Sequence, residues 1–170
     1  MYDGRRMSEA EYLALPEVKP YLEYVDGVVR QKPMVNAAHG RLIRKLDALF
    51  DAYIEAVGGD GGPERRVAMS PNRRLPDTAY WAPGRPSGDD SVPSVAVEVR
   101  SPNQPMRQLR DKCRAFRAAG VDTCWLIDPD ARTAELFEGD NDAVPVTALE
   151  STAMPGFSIA LADLFKVLDR

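Results

Sequence analysis

The spacing of apolar residues changes period several times along the chain, and each change predicts an element. From Gly40 onward, Leu42, Ile43, Leu46, Leu49, Phe50, Tyr53, Ile54 and Val57 keep an i, i+3, i+4, i+7 rhythm, which places them on one face of a long helix. GGDGG at 58–62 stops that helix, because glycine adopts left-handed C-terminal conformations readily and continues a helix poorly. Upstream, Ser8 and Glu11 are spaced as a capping box, and Met7 and Tyr12 as a hydrophobic staple. The helix they open runs for about two turns and ends at Pro16. LEYVDGVVR at 22–30 reads as two extended runs around Asp26-Gly27, a hairpin.

Further extended segments are expected around 64–70 and 74–81. Seven of the 14 prolines fall within 71–105, which excludes helix there until its end. SVAVEVR at 94–100 alternates as a strand, with Val95, Val97 and Val99 on one face and Ala96, Glu98 and Arg100 on the other. A helix from about Pro105 to Ala119, closed by Gly120, leads into TCWLID at 123–128, and TAELFE at 133–138 returns after the DPDAR turn. PGFSIALADLFKVL at 155–168 has the pattern of a short strand and a terminal helix. With no internal repeat or linker, the order of elements predicts one domain over residues 1–170, a mixed α/β or α+β sheet flanked by helices.

The 170 residues are 44% hydrophobic and 28% charged, which fits a folded domain and argues against wholesale disorder. No stretch approaches the roughly 20 apolar residues of a membrane span, and the opening MYDGRRMSEAEY has no apolar core behind its arginines. The expected setting is cytoplasmic, without a membrane partner. Cys113 and Cys124 lie among apolar neighbours and read as buried free thiols. A single histidine, His39, leaves little room for a Cys/His zinc site or for Ser-His-Asp chemistry. The net charge of −4 hides a segregation. Residues 100–117 hold six basic groups against Asp111, whereas 122–170 hold ten acids against Arg132, Lys166 and Arg170. Such a chain meets a polyanion through one face only.

Three charged residues occupy positions where the local pattern wants apolar ones. Glu98 lies inside a central-looking strand, where a carboxylate is costly unless paired or bound to a cation. Its alternatives are a solvated face or an ion pair with Arg100 or another neighbour. Asp77 follows Pro76 and enters a strand, yet Pro-Asp is also a routine turn dipeptide. Lys112 stands apart from the helix's arginines and leans toward the apolar side defined by Leu109, Cys113 and Phe116. A lysine there either snorkels outward or meets a carboxylate. Taken together, two carboxylates on neighbouring strands can hold magnesium through oxygen ligands, and a nearby ammonium can orient water or stabilise charge on a phosphate. Arg107, Arg110, Arg114 and Arg117 form an outer stripe, either a track for a nucleic-acid backbone or a solvated helix face.

With these residues in view, the chain resembles the Uma-two family of the PD-(D/E)XK restriction-endonuclease-like superfamily. The resemblance runs through MSEAEYLALP (7–16), YLEYVDGVV (21–29), AAHGRL (37–42), LPDTAYW (75–81), VAVEVRSP (95–102), KCRAFRAAGVDTCWLIDPDA (112–131) and MPGFSIALADLF (154–165). It implies a restriction-endonuclease-like fold with a mixed central sheet. By position, Asp77 matches the family's Pro-Asp acid, Glu98 the acid of its second strand motif, and Lys112 a lysine on the following helix. Glu23 matches the acid of the family's hairpin, as an additional metal or water ligand, and His39 a histidine at the start of the long helix, as an accessory residue. Trp125 and Asp128 also match, though a buried ring and a turn-starting acid explain them equally well.

Two positions depart from the pattern. Arg100 stands two residues beyond Glu98, where the superfamily's basic pattern has lysine, and arginine cannot act as a base. Gln108 stands where the family often has aspartate, four residues before Lys112. The resemblance therefore implies a Mg2+- or Mn2+-dependent endonuclease acting on DNA. Asp77 and Glu98 would hold the metal, Lys112 would activate or position water with Glu23 assisting, and Arg100, Arg107, Arg110 and Arg114 would contact nucleic acid. The alternatives are a nucleic-acid-binding or regulatory protein with weakened chemistry, favoured by Arg100 and Gln108, and a homodimer joined through strand edges.

Overall fold

The computed structural model describes residues 1–170 and is organised around one six-stranded mixed sheet. In chain order the elements are α1 (Glu9–Leu13), β1 (Leu22–Val25), β2 (Val28–Gln31), α2 (Ala37–Val57), β3 (Asp60–Pro63), β4 (Val67–Met69), β5 (Asn72–Arg74), β6 (Thr78–Trp81), β7 (Val95–Val99), α3 (Met106–Ala118), β8 (Thr123–Asp128), β9 (Thr133–Glu138), β10 (Asn141–Val146), β11 (Ala148–Leu149), β12 (Ile159–Ala160) and α4 (Leu161–Leu164). A 3-10 turn, Phe165–Leu168, ends the ordered elements. The central sheet runs β10-β9-β8-β7-β6-β3, and a four-stranded sheet runs β2-β1-β5-β4.

Within the central sheet only β7 and β8 are parallel, and α3 is the crossover that parallel pairing requires. The alternation read in β7 decides the layering. Val95, Val97 and Val99 pack with Leu42, Leu46 and Phe50 of α2, Trp125 and the C-terminal Leu164 and Phe165. Ala96, on the opposite face, packs with Leu109, Cys113 and Phe116 of α3. Both faces are therefore covered and all five β7 residues are buried, Glu98 included. On the α2 face Phe50 meets the rings of Tyr80, Trp125 and Phe157, with centroids 5.7–6.4 Å apart. Trp125 also donates its indole N–H to the carbonyl of Glu150 at 3.0 Å, a core role.

The start signals appear where the sequence places them. Ser8 Oγ accepts from the Glu11 amide at 3.2 Å, while Glu11 accepts from the Ser8 amide at 2.6 Å. Helix α2 starts a turn earlier than its apolar rhythm, because Asn36 caps it by accepting from the His39 amide at 2.9 Å. Three strands lie outside the sequence expectation, one of them the two-residue β11 that pairs with β12. GGDGG does end α2, but Asp60–Pro63 then becomes the edge strand β3, paired with β6. Low side-chain volume is what admits it: a Cβ on Gly59, at φ +101°, would lie 2.4 Å from the Trp81 carbonyl oxygen. The third is β10, an exposed edge strand whose Pro145 is tolerated because it pairs on one side only.

No helix is long and apolar enough to cross a membrane. Cys113 and Cys124 are buried free thiols facing each other between α3 and β8.

Phe50, 1% exposed at the centre of the ring cluster, is the test of this packing. Phe50→Ala should cost ~3–5 kcal/mol through lost burial and the cavity left behind, read as a lower urea midpoint with an unchanged slope. Val144→Ala on the exposed edge strand should stay within ~0.5 kcal/mol of the parent.

Candidate active site

The site forms where the ends of β6 and β7 meet β1, α2 and α3. In the β6–β7 pairing Thr78 lies opposite Val97, and the Asp77 amide continues the ladder by donating to the Val97 carbonyl at 2.9 Å. Asp77 thus sits at the end of the ladder beside Val97 and Glu98, and both carboxylates line one cavity. Asp77 Oδ2 accepts from the Val99 amide at 2.7 Å and from His39 Nε2 at 3.1 Å. Because a carboxylate only accepts, His39 carries its proton on Nε2. Asp77 Oδ1 is 2.9 Å from Lys32 Nζ.

Lys112 reaches inward from α3, 2.7 Å from Glu23 Oε1 and 2.8 Å from Glu98 Oε1, and it donates to the Leu75 carbonyl at 2.9 Å. Its ammonium lies off the angle a hydrogen bond to Glu98 requires, so Glu98 Oε1 is buried with no hydrogen bond. Glu23, on β1, also accepts from the Leu75 amide at 2.9 Å and from Arg74 Nε at 3.1 Å. Lys32 completes the cluster, pairing with Glu64 at 2.9 Å and donating to the Leu75 carbonyl at 3.1 Å. Glu23, Asp77, Glu98 and Lys112 are each at most 4% exposed, yet all four line one cavity of about 630 Å³. Arg30, Arg74, Gln104 and Gln108 stand along the same walls.

The structure brings together Asp77, Glu98, Lys112, Glu23 and His39. No three metal-ligating side chains converge on one point. Glu23 is spent on Lys112, Arg74 and a backbone amide, which makes it an anchor for the lysine rather than a free ligand. The arginines part from the sequence reading. Arg100 pairs with Asp128 at 3.1 Å and donates to the Gln104 carbonyl. Arg110 grips Glu135, and Arg114 grips Asp111 and Asp142. Acids of β9 and β10 thus meet Arg110 and Arg114, while Arg117 donates only to backbone carbonyls and Arg107 stays exposed without an ion pair. Lys32, Glu64 and Arg74 are the residues that sequence reasoning missed. Lys32 was legible in principle: Arg30 lies opposite Glu23 in the hairpin, and Lys32 falls two residues later on the same face.

Burial and mutual charge set the protonation states. For Glu23, burial opposes ionisation, but Lys112, Arg74 and Lys32 outweigh it and bring the carboxyl from 4.5 to about 2. Asp77 is likewise held below its ordinary range, as Lys32 and His39 overcome burial. Glu98 goes the other way: burial, with Asp77 and Glu23 as like-charged neighbours, overrides Lys112 and pushes it to about 7. Lys112 itself is raised, since Glu23 and Glu98 outweigh its desolvation. The two partners' opposite preferences agree once Lys112 is seen as Glu23's counter-ion first, with Glu98 left the remainder.

The family model for Uma2, described as "putative restriction endonuclease", matches residues 9–162. The chain belongs to the Uma2 family. Among solved structures, a "putative nuclease belonging to DUF820" from Anabaena variabilis ATCC 29413 superposes with a TM-score of 0.86 at 21% identity. That match covers 95% of this chain and 99% of the other, so the fold is shared over essentially the whole length. Comparison with curated proteins gives no match. Membership in Uma2 supports a nuclease.

The raised Glu98 predicts a pH dependence of stability. Folded Glu98 keeps its proton to about 7, whereas the unfolded chain releases it near 4.5. Between these values the folded state binds more protons, so stability falls as pH rises through the window and stays lost above it. Glu98→Gln, always neutral, should therefore be more stable than the parent at pH ~8, by up to about 3 kcal/mol at about 1.36 kcal/mol per pKa unit. The difference should close below pH ~4.5. Thermal denaturation across that range measures it, and a gap that does not vary with pH would contradict the assignment.

Proposed function

We propose that this Uma2 protein is a metal-dependent endonuclease hydrolysing phosphodiester bonds of DNA, with Asp77 and Glu98 holding Mg2+ or Mn2+. The observation that carries the reading is Glu98, a buried carboxylate facing the cavity whose Oε1 has the Lys112 ammonium at 2.8 Å and no further donor. Because Lys112 is shared with Glu23, this carboxylate is under-compensated, and a further cation or a proton completes it. The charge count supports the same conclusion. Glu23, Glu64, Asp77 and Glu98 face Lys32, Lys112 and Arg74, which leaves one negative charge when all are ionised and His39 is neutral. A divalent ion turns that into one positive charge, and a single phosphodiester cancels it. The donor set, carboxylate oxygens, suits a hard cation that keeps several waters. When bound, the ion polarises a phosphoryl oxygen and acidifies a coordinated water.

The chain's own residues divide the remaining work. Lys112, raised and doubly paired, stays an ammonium. Its role is to stabilise negative charge growing on the phosphate rather than to accept water's proton. Glu23 is a positioning residue that fixes Lys112, and His39 fixes the plane of the Asp77 carboxylate. Glu98 holds a proton to about 7 in the ion-free protein, so a cation binds there in competition with that proton.

Asp77→Asn and Glu98→Gln should each abolish Mn2+-dependent nicking of plasmid DNA while the protein still melts cooperatively. Lys112→Met should lower the rate by ~10²–10³-fold. Plasmid nicking by both carboxylate variants at the parental rate would overturn the proposal. A parent that binds DNA but neither takes up Mn2+ nor cleaves would favour the binding-only alternative.

A further inference from the structure

Asp77 offers a cation one oxygen, and Lys32 already stands on it. Oδ2 is held by the Val99 amide at 2.7 Å and by His39 at 3.1 Å. Oδ1 has a single partner, the Lys32 ammonium at 2.9 Å. That ammonium is saturated, since Asp77 Oδ1, Glu64 Oε2 and the Leu75 carbonyl match its three protons at 2.9, 2.9 and 3.1 Å. The Lys32 backbone extends the hairpin, its amide donating to the Tyr21 carbonyl at 2.9 Å, and only its side chain is free to move. It follows β2 and is continuous with Pro33, Met34 and Val35, of which Met34 is 76% and Val35 54% exposed. Its flexible four-carbon stem can swing within the cavity while Glu64 keeps hold of the charge.

We propose that Lys32 is a resident counter-ion that a divalent cation displaces from Asp77, and that the freed ammonium then binds a substrate phosphate. The proposal rests on the Asp77–Glu98 metal reading and adds a coupling to it. Without nucleic acid, the ion competes with a built-in positive charge for the same carboxylate oxygen and binds weakly. With a phosphodiester in the cavity, the displaced ammonium gains an anionic partner, so metal and substrate each tighten the other's binding. Lys112 cannot play this part, because Glu23 and the Leu75 carbonyl fix it to the wall at 2.7 and 2.9 Å.

The test is Mn2+ binding to the full chain, followed by electron paramagnetic resonance at neutral pH, with and without a short phosphorothioate DNA duplex. The parent should bind Mn2+ weakly alone and about tenfold or more tightly with the duplex. Lys32→Met and Lys32→Gln should bind Mn2+ about tenfold more tightly than the parent without duplex, and the duplex should then add little. Lys32→Gln keeps a hydrogen-bond donor for Asp77, so it decides the matter should the methionine variant not fold. If both variants bind Mn2+ no more tightly than the parent while Asp77→Asn abolishes binding, Lys32 is not a competitor and the proposal falls. A duplex that tightens Mn2+ equally in parent and variants overturns the transfer of the ammonium to phosphate. If Asp77→Asn binds Mn2+ as the parent does, the metal reading itself is wrong.

Discussion

Burying three carboxylates, Glu23, Asp77 and Glu98, at one end of a sheet is the constraint that organises this molecule. An isolated buried carboxylate is prohibitively costly, and a buried pair is tolerable only where its remaining lone pairs are satisfied. Glu23 and Asp77 meet that condition, each with a lysine and at least two further donors. Glu98 does not. The lysines, the Arg74 guanidinium, the Val99 and Leu75 amides and the His39 ring are arranged to satisfy two of these charges, leaving the third with one partner. Glu98 therefore keeps one shared lysine and no further donor, while its neighbours are fully satisfied.

The hydrophobic layers explain how such a cluster is held. The β7 valines lock the sheet to α2, while Ala96, Leu109, Cys113 and Phe116 lock it to α3. The short Ala96 side chain lets α3 lie close, which brings Lys112 over the strand end where Glu98 projects. The β6–β7 ladder then fixes Asp77 against Glu98, because a one-residue slip would move every side chain of β6 to the other face.

Much of this was legible in the sequence. The amphipathic rhythm of 42–57, the Asp26-Gly27 hairpin, the capping box and the alternation in 95–99 report local physics directly. Asp77, Glu98 and Lys112 stood out because charge interrupted an apolar pattern. The strands β3 and β10 did not stand out, since an edge strand of glycines or of exposed polar residues carries no hydrophobic signal. Lys32 and Glu64 were hidden for another reason. Each is an ordinary charged residue beside a turn, and only the packing of the smaller sheet against the larger turns them inward. The partners of Arg110 and Arg114 were not legible, because a helical wheel shows which face is basic but not which strand supplies acids to meet it.

That last pairing has a wider consequence. With Arg110 and Arg114 committed to Glu135, Asp111 and Asp142, and Arg100 to Asp128, the flank of α3 projects little electric field into solvent. A molecule of this kind has scant long-range pull on a polyanion, so capture must come from close fit at the cavity mouth rather than electrostatic steering.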